Sequence, residues 1–280
     1  MGTKVKVVIV LAVVLILLVL GLGLGLGLWH ASESQKIQDC RYPPIPLNMA
    51  PDSVDDMYDK CEEKMKGKIE NDFLQNEKNK NKNFKEAWNK AEEYYKSEWE
   101  KKNPPLMKEQ IMAIHAYTLK NPPLYCEFNN AVRTNKSVYQ TNFPYHTLHF
   151  YLTMALRTIK PTAVNCVTGY RRTKSEFRKD VLNKQIRFSA FSSSSKDGYA
   201  NEMFGEESCF EITTCFGAQI SKFSKFPSEN EVLVPPYEVF KVTEVKESSE
   251  QNKLPCKFVY KLQSTKTTSS NLNCAFFNNK

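Results

Sequence analysis

The sequence predicts an α+β fold, helical first and β-rich second, rather than alternating βαβ units. Three observations carry this. Residues 57–159 favour helix, with apolar residues recurring at three- and four-residue spacing. After Pro161 the texture changes to short runs rich in β-branched and aromatic residues. Neither an internal repeat nor a linker separates the halves, so a single domain over residues 35–280 is expected.

The first 34 residues stand apart. Lys4 and Lys6 precede an apolar run from Val7 to Trp29, long enough to span a bilayer. Ser32 and Ser34 offer a cleavage site, so a signal peptide and a signal anchor both remain open. Either way the positive flank stays cytoplasmic and the rest is translocated, giving a secreted protein or a type II membrane protein. Eight cysteines in an oxidising compartment predict disulfides. Asn135-Lys136-Ser137 is then a glycosylation sequon. The chain closes on Cys274-Ala-Phe-Phe-Asn-Asn-Lys280, an ending without the apolar tail of a GPI signal.

Residues 30–60 read as an irregular lead-in, because Pro43, Pro44, Pro46 and Pro51 forbid a continuous helix. Ser53-Val-Asp-Asp56 has the composition of a helix cap. Helix is expected from Met57 to about Lys102, broken near the Asn-Lys run at 79–83 and resumed from Phe84 to Lys101. Pro104 and Pro105 stop it. Further helices are expected over Leu106–Leu119, Tyr125–Arg133 and Tyr145–Ile159; the last carries a stripe of Leu148, Tyr151, Leu152, Ala155, Leu156 and Ile159 that reads as core. The expected strands are Asn165–Tyr170, Gln185–Phe191, Ser208–Phe216, Glu231–Val234, Tyr237–Val245 and Phe258–Ser264.

Composition excludes several classes. With 41% hydrophobic residues, 17 Phe and 13 Tyr, a full core is within reach and wholesale disorder is not expected. The net charge of +8 comes largely from lysines between Cys61 and Lys102, interleaved with Asp and Glu as on solvated helix faces. No nucleic-acid module surrounds them. No CxxC or HxxxH spacing and only four histidines argue against a metal site.

Three places in the β half carry chemistry. Tyr170-Arg171-Arg172 lies near a strand end, and a guanidinium fork there suits a phosphate or carboxylate. Phe191-Ser-Ser-Ser-Ser195 supplies short hydroxyls that orient neighbours; on its own it is a polar loop. Glu229-Asn230-Glu231 precedes Val232-Leu-Val-Pro-Pro236, and in an extended segment its two carboxylates share one side and repel.

The combination resembles the R-S-E signature of the arginine-specific ecto-ADP-ribosyltransferases: an Arg ending one strand, a Ser-x-Ser opening another, a Glu-x-Glu ahead of a third. Met49-Ala-Pro-Asp-Ser-Val-Asp-Asp-Met-Tyr58, Ala116-Tyr117-Thr118, Phe128-Asn-Asn-Ala-Val-Arg133, the helix around His149 and the block Phe223–Pro236 extend the resemblance over roughly residues 46–275. It implies the ADP-ribosyltransferase-like fold, a helical N-terminal portion with a two-sheet β core and an NAD cleft. It also implies NAD(P)+ as co-substrate, arginine-bearing target proteins as partners, and a monomer.

The implied roles are by position. Arg171 would bind the NAD phosphates and ribose. Ser193 would support the nicotinamide ribose and orient the acid, although four consecutive serines leave this choice open by one position. Glu231 would be the catalytic carboxylate and Glu229 the acceptor-arginine recogniser. Tyr117 and Phe204 would complete the NAD site, Phe204 packing on nicotinamide. The family often has Gly where Arg172 stands. The resemblance implies disulfides Cys61–Cys274 and Cys166–Cys215 and leaves Cys40, Cys126, Cys209 and Cys256 unassigned. The implied reaction is transfer of ADP-ribose to arginine. The alternatives are an NAD glycohydrolase, with water in the acceptor's place, and an inactive binding protein of the same fold.

Overall fold

Helices fill the first half of the computed structural model and strands the second; residues 46–160, 166–199 and 202–277 are described, within one unit spanning 42–280. The apolar N-terminal run and Cys40 lie outside the described residues. Helix α1 (Glu62–Lys68) continues through a π turn (Ile69–Phe73) into α2 (Leu74–Lys80). The expected break falls at Asn81, which is extended; its side chain accepts a hydrogen bond from Phe84 N at 2.9 Å and so caps α3 (Lys82–Glu98). Helix α3 buries Phe84, Ala87, Trp88 and Ala91, the i, i+3, i+4, i+7 face of an amphipathic helix.

Helices α4 (Lys108–Thr118), α5 (Leu124–Thr134), α6 (Tyr139–Asn142) and α7 (His146–Ile159) follow. Every residue of α7 from His146 to Leu156 is buried, so α7 is the axis of the helical half. Its N-terminus has a buried cap: the Glu77 carboxylate of α2 accepts from His146 N at 2.6 Å and Thr147 N at 3.1 Å. Among the described residues no helix is long and apolar enough to cross a membrane.

Ser53-Val-Asp-Asp56 does not cap a helix. All four residues are buried, and each of the three polar side chains has a distant partner. Ser53 Oγ donates to Ser189 O at 2.9 Å, Asp55 pairs with Arg187 at 2.7 Å, and Asp56 accepts from Tyr58 N and Cys274 N. Tertiary hydrogen bonds outcompete the local cap.

Eight strands follow: β1 (Val167–Thr173), β2 (Gln185–Ile186), β3 (Ser192–Ser195), β4 (Ser208–Thr214), β5 (Ala218–Gln219), β6 (Glu231–Val234), β7 (Glu238–Glu247) and β8 (Phe258–Thr268). Their order is β2-β7-β8-β4-β1-β3-β6-β5, with β4 and β8 parallel and the other neighbours antiparallel. The expected two-sheet core needs one correction: the ladder is continuous. It is nevertheless nearly divided, because β1 and β3 share the single register pair Tyr170↔Ser195. Beyond Tyr170, β1 runs on beside β4 alone as far as Thr173. The sheet therefore parts at Arg171, between a β2-β7-β8-β4-β1 half and a β3-β6-β5 half.

Two further differences have local causes. The expected strand Gln185–Phe191 stops at Ile186, where Arg187 turns away to Asp55. The four serines form a strand, as the resemblance implies, rather than the polar loop that their composition alone suggests, paired to β1 on one side and β6 on the other. That close approach needs Gly169, where a Cβ would lie 2.2 Å from Ser194 Oγ.

Disulfides join Cys61 to Cys274, Cys166 to Cys215 and Cys209 to Cys256. The first two are the pairs implied by the resemblance; the third assigns two cysteines left open. Cys61–Cys274 ties α1 to the C-terminal segment, and Cys166–Cys215 closes the β1/β4 pair just outside its ladder.

Candidate active site

The site lies where the sheet parts. Arg171, on the last part of β1, extends its guanidinium to β3 and donates from Nη1 to Ser193 O at 2.8 Å. Burial disfavours its charge, while Tyr117 and Glu231 favour it. Along β3 the side chains alternate. Ser192 and Ser194 are buried on one face, and Ser194 Oγ donates to Val232 O at 3.0 Å. Ser193 and Ser195 share the other face. The Ser193 hydroxyl is near enough to the Glu231 carboxylate to favour its charged form, and lies 3.5 Å from Tyr117 Oη. Ser195 Oγ donates to Glu229 O at 2.9 Å.

Glu231 opens β6 opposite Ser195 and is 6% exposed. Burial pushes its carboxyl up to about 7; neighbouring Glu229 adds to the rise, while the Ser193 hydroxyl and Arg171 oppose it. Tyr117, at the end of α4, is buried too, and burial beside Glu231 pushes its phenol to about 12, so it is a neutral hydrogen-bonding group at ordinary pH. Its hydroxyl accepts from Asn129 Nδ2 of α5 at 3.0 Å.

Glu229 reaches the cluster by a different route from the one expected. It is not in an extended run with Glu231. It ends a 3-10 turn (Pro227–Glu229), and Asn230 takes the left-handed conformation at φ 44°. Asn230 Nδ2 donates to both Asp197 oxygens, at 3.0 and 2.8 Å, and Lys196 N donates to Asn230 O at 3.1 Å. The turn carrying Glu229 is therefore pinned to the loop after β3. Asn230 and Asp197 escape a reading by motif, although an Asn between two Glu is a residue that tolerates positive φ. Burial raises the Glu229 carboxyl and Lys120 lowers it.

Arg171, Ser193, Glu231, Tyr117 and Glu229 are thus brought together. Phe204 is not: it ends a 3-10 turn (Glu202–Phe204), 45% exposed, with no aromatic neighbour among the described residues. Arg172 points the opposite way from Arg171 and donates to Gly205 O, Tyr199 O and Pro255 O at 2.9, 2.7 and 2.6 Å. Arg172 thereby fastens the segment that carries Phe204. Asn135 of the sequon sits just past α5, half-buried. Among the described residues no group of three His, Cys, Asp or Glu is arranged to hold a metal ion.

A buried carboxylate, a hydroxyl beside it and an adjacent guanidinium suit a reaction that develops positive charge beside bound phosphate. Because the carboxyl is raised to about 7, it is half-ionised near neutrality and fully ionised only above it. If it must be ionised, kcat/KM for NAD should rise about tenfold per pH unit below pH 7 and level off above. In Glu229→Gln the bend should move to lower pH, since a like charge is removed. A flat profile from pH 5 to 8.5 would contradict this.

The NAD:arginine ADP-ribosyltransferase family model matches residues 47–270. The chain is 37% identical over 249 residues to ecto-ADP-ribosyltransferase 5 of Homo sapiens, covering 84% of this chain and 81% of that protein. It is 34% identical over 208 residues to the erythroblast NAD(P)(+)–arginine ADP-ribosyltransferase of Gallus gallus, covering 71% and 67%. The crystal structure of the eukaryotic mono-ADP-ribosyltransferase ART2.2, as a mutant in complex with NADH, superposes with a TM-score of 0.69 at 30% identity, covering 83% of this chain and all of that one. With the parted sheet and the cluster at its opening, these likenesses show that the chain belongs to the NAD:arginine ADP-ribosyltransferase family.

Proposed function

We propose that the cluster at Arg171, Ser193 and Glu231 cleaves the nicotinamide–ribose bond of NAD(P)+, and that Glu229 delivers an arginine of an extracellular protein to the product. The observation that carries this is the buried Glu231 carboxyl, raised to about 7, beside the Ser193 hydroxyl and the Arg171 guanidinium that donates to Ser193 O. As the C–N bond breaks, its electron pair leaves with nicotinamide, a neutral base that needs no acid. The ribose carbon develops oxocarbenium character, as in glycoside hydrolysis. Ionised Glu231 stabilises that charge from a position with little water. Arg171 holds the phosphates, Tyr117 shapes the ribose side, and Phe204 packs on nicotinamide.

The acceptor poses the opposite problem, because a protonated guanidinium is a poor nucleophile. Glu229, half-buried and raised, holds it and takes the proton as nitrogen bonds to the ribose carbon. Attack from the far face inverts the β linkage of NAD to an α linkage in the product. Residues 35–280 act as a single catalytic domain outside the cell, monomeric, delivered by the apolar N-terminal segment and either freed by cleavage or held as a type II membrane protein. The sequon at Asn135 carries glycan there.

The test uses full-length protein from an oxidising secretory host, with labelled NAD and agmatine. Free nicotinamide and the agmatine adduct are followed separately. Wild type forms adduct. Glu229→Gln loses adduct by roughly 100-fold or more while still releasing nicotinamide. Nicotinamide release by wild type with no adduct would establish the glycohydrolase instead.

A further inference from the structure

The acceptor side of the cluster carries a band of lysines without carboxylate partners. Residues 221–229 pack across the ends of two helices. The Phe223 ring lies 5.0 Å from Trp99, just beyond α3, and Lys225 N donates to Thr118 Oγ1 at the end of α4, at 2.9 Å. On that platform Lys222 Nζ stands 5.5 Å from the Trp99 ring and 5.9 Å from that of Phe223. Lys120 Nζ stands 4.3 Å over Phe226. Lys225 is exposed beside them.

What gives this band meaning is its place, around the turn that carries Glu229, and the way its ammonium groups are held over rings. Being unpaired is not by itself distinctive: Lys66, Lys68, Lys90, Lys96, Lys102 and Lys108 each meet a carboxylate within 4.0 Å, but other helix lysines such as Lys64, Lys78 and Lys85 do not among the described residues. Lys120, Lys222 and Lys225 form no ion pair among the described residues. The nearby acids are committed elsewhere: Asp197 to the Asn230 amide and Glu98 to Lys102. Glu229 alone faces Lys120, and in the proposed reaction it is taken by the acceptor guanidinium. Two of the three ammonium groups are held over aromatic rings, so less side-chain freedom is lost when a partner arrives.

We propose that this band selects the protein acceptor: the target arginine lies in a segment bearing Asp or Glu beside it, whose carboxylates meet Lys120, Lys222 and Lys225 while the guanidinium meets Glu229. The proposal rests on the acceptor role given to Glu229 above. A basic neighbourhood around the target arginine would instead be repelled by the same lysines.

Full-length protein is given NAD and a set of peptides, each with one arginine flanked by Glu, by Gln or by Lys, with agmatine as an acceptor that has no flanks. Acidic flanks are expected to raise kcat/KM roughly three- to tenfold over Gln at 50 mM salt, with Lys flanks below Gln. The preference should shrink at about 300 mM salt, where exposed charges are screened. The double variant Lys222→Gln/Lys225→Gln should lose most of the preference while modifying agmatine, whose own ammonium the lysines repel, at no less than the wild-type rate. Equal turnover of the three peptides by an enzyme that modifies agmatine overturns the lysine band and leaves the transferase reading intact. So does a preference that the double variant retains. Absence of any adduct, agmatine included, overturns both.

Discussion

Replacing Glu231 with Gln is expected to lower nicotinamide release by about 10²–10³-fold and, above neutral pH, to make the protein more stable. The two effects have one origin. Glu231 is 6% exposed, and burial lifts its carboxyl from 4.5 to about 7. The folded protein therefore binds this proton more tightly than the unfolded chain does, and stability falls as pH rises from about 4.5 through 7. At pH 8 the buried charge costs on the order of 3 kcal/mol, and at pH 4 it costs nothing. Gln keeps the shape while removing the charge. Tm of the variant should thus exceed wild type at pH 8 and approach it at pH 4. A structural role for Glu231 predicts the reverse: a stability loss with the activity loss following from it. A variant within tenfold of wild-type turnover would remove Glu231 from the mechanism.

The same carboxylate shows how much was legible before the fold was known. Arg171, Ser193 and Glu231 each stand in an unremarkable local context, and residue chemistry alone leaves them as a surface Arg, a polar loop and a charge pair. Their meeting is non-local, since it depends on β3 slotting between β1 and β6, and no periodicity encodes that order. Resemblance to a family supplied it. The helices were legible because their evidence is local: the i, i+3, i+4 face of α3, the Asn81 break, and prolines beyond each end. The misreadings share one cause. Ser53–Asp56 has cap composition but is spent on Ser189, Arg187 and Cys274. Gln185–Phe191 has strand composition but loses Arg187 to Asp55. Glu229 was set beside Glu231 by strand alternation, whereas a left-handed Asn230, fixed by Asp197, puts it there through a turn. In each case a long-range polar contact overrode a correct local preference.

Asp55 and Arg187 make the largest of those contacts, and Arg187→Met is expected to destabilise the protein by about 3–5 kcal/mol. Both side chains are about 1% exposed or less, paired at 2.7 Å. Arg187 also donates to the carbonyls of Met49, Ala50, Pro236 and Ser269, while Asp55 accepts from Asn271 N and Leu272 N at 2.9 and 3.1 Å. One ion pair therefore gathers the lead-in, the end of β2, the β6–β7 turn and the C-terminal segment. Met fills much of the volume but leaves the Asp55 charge buried and four carbonyls without that donor. With total stability of about 5–15 kcal/mol, the loss is about a fifth or more, and Tm should drop by roughly 10 °C. Asp55→Leu combined with Arg187→Met removes the stranded charge and should recover part of the loss. It should not recover all of it, because the amides of Asn271 and Leu272 then lack an acceptor. Denaturant unfolding of the four proteins measures the coupling between the two residues. A single variant within 1 kcal/mol of wild type would mean that the pair is replaceable and that Cys61–Cys274, which closes the same two ends of the chain, holds them without it.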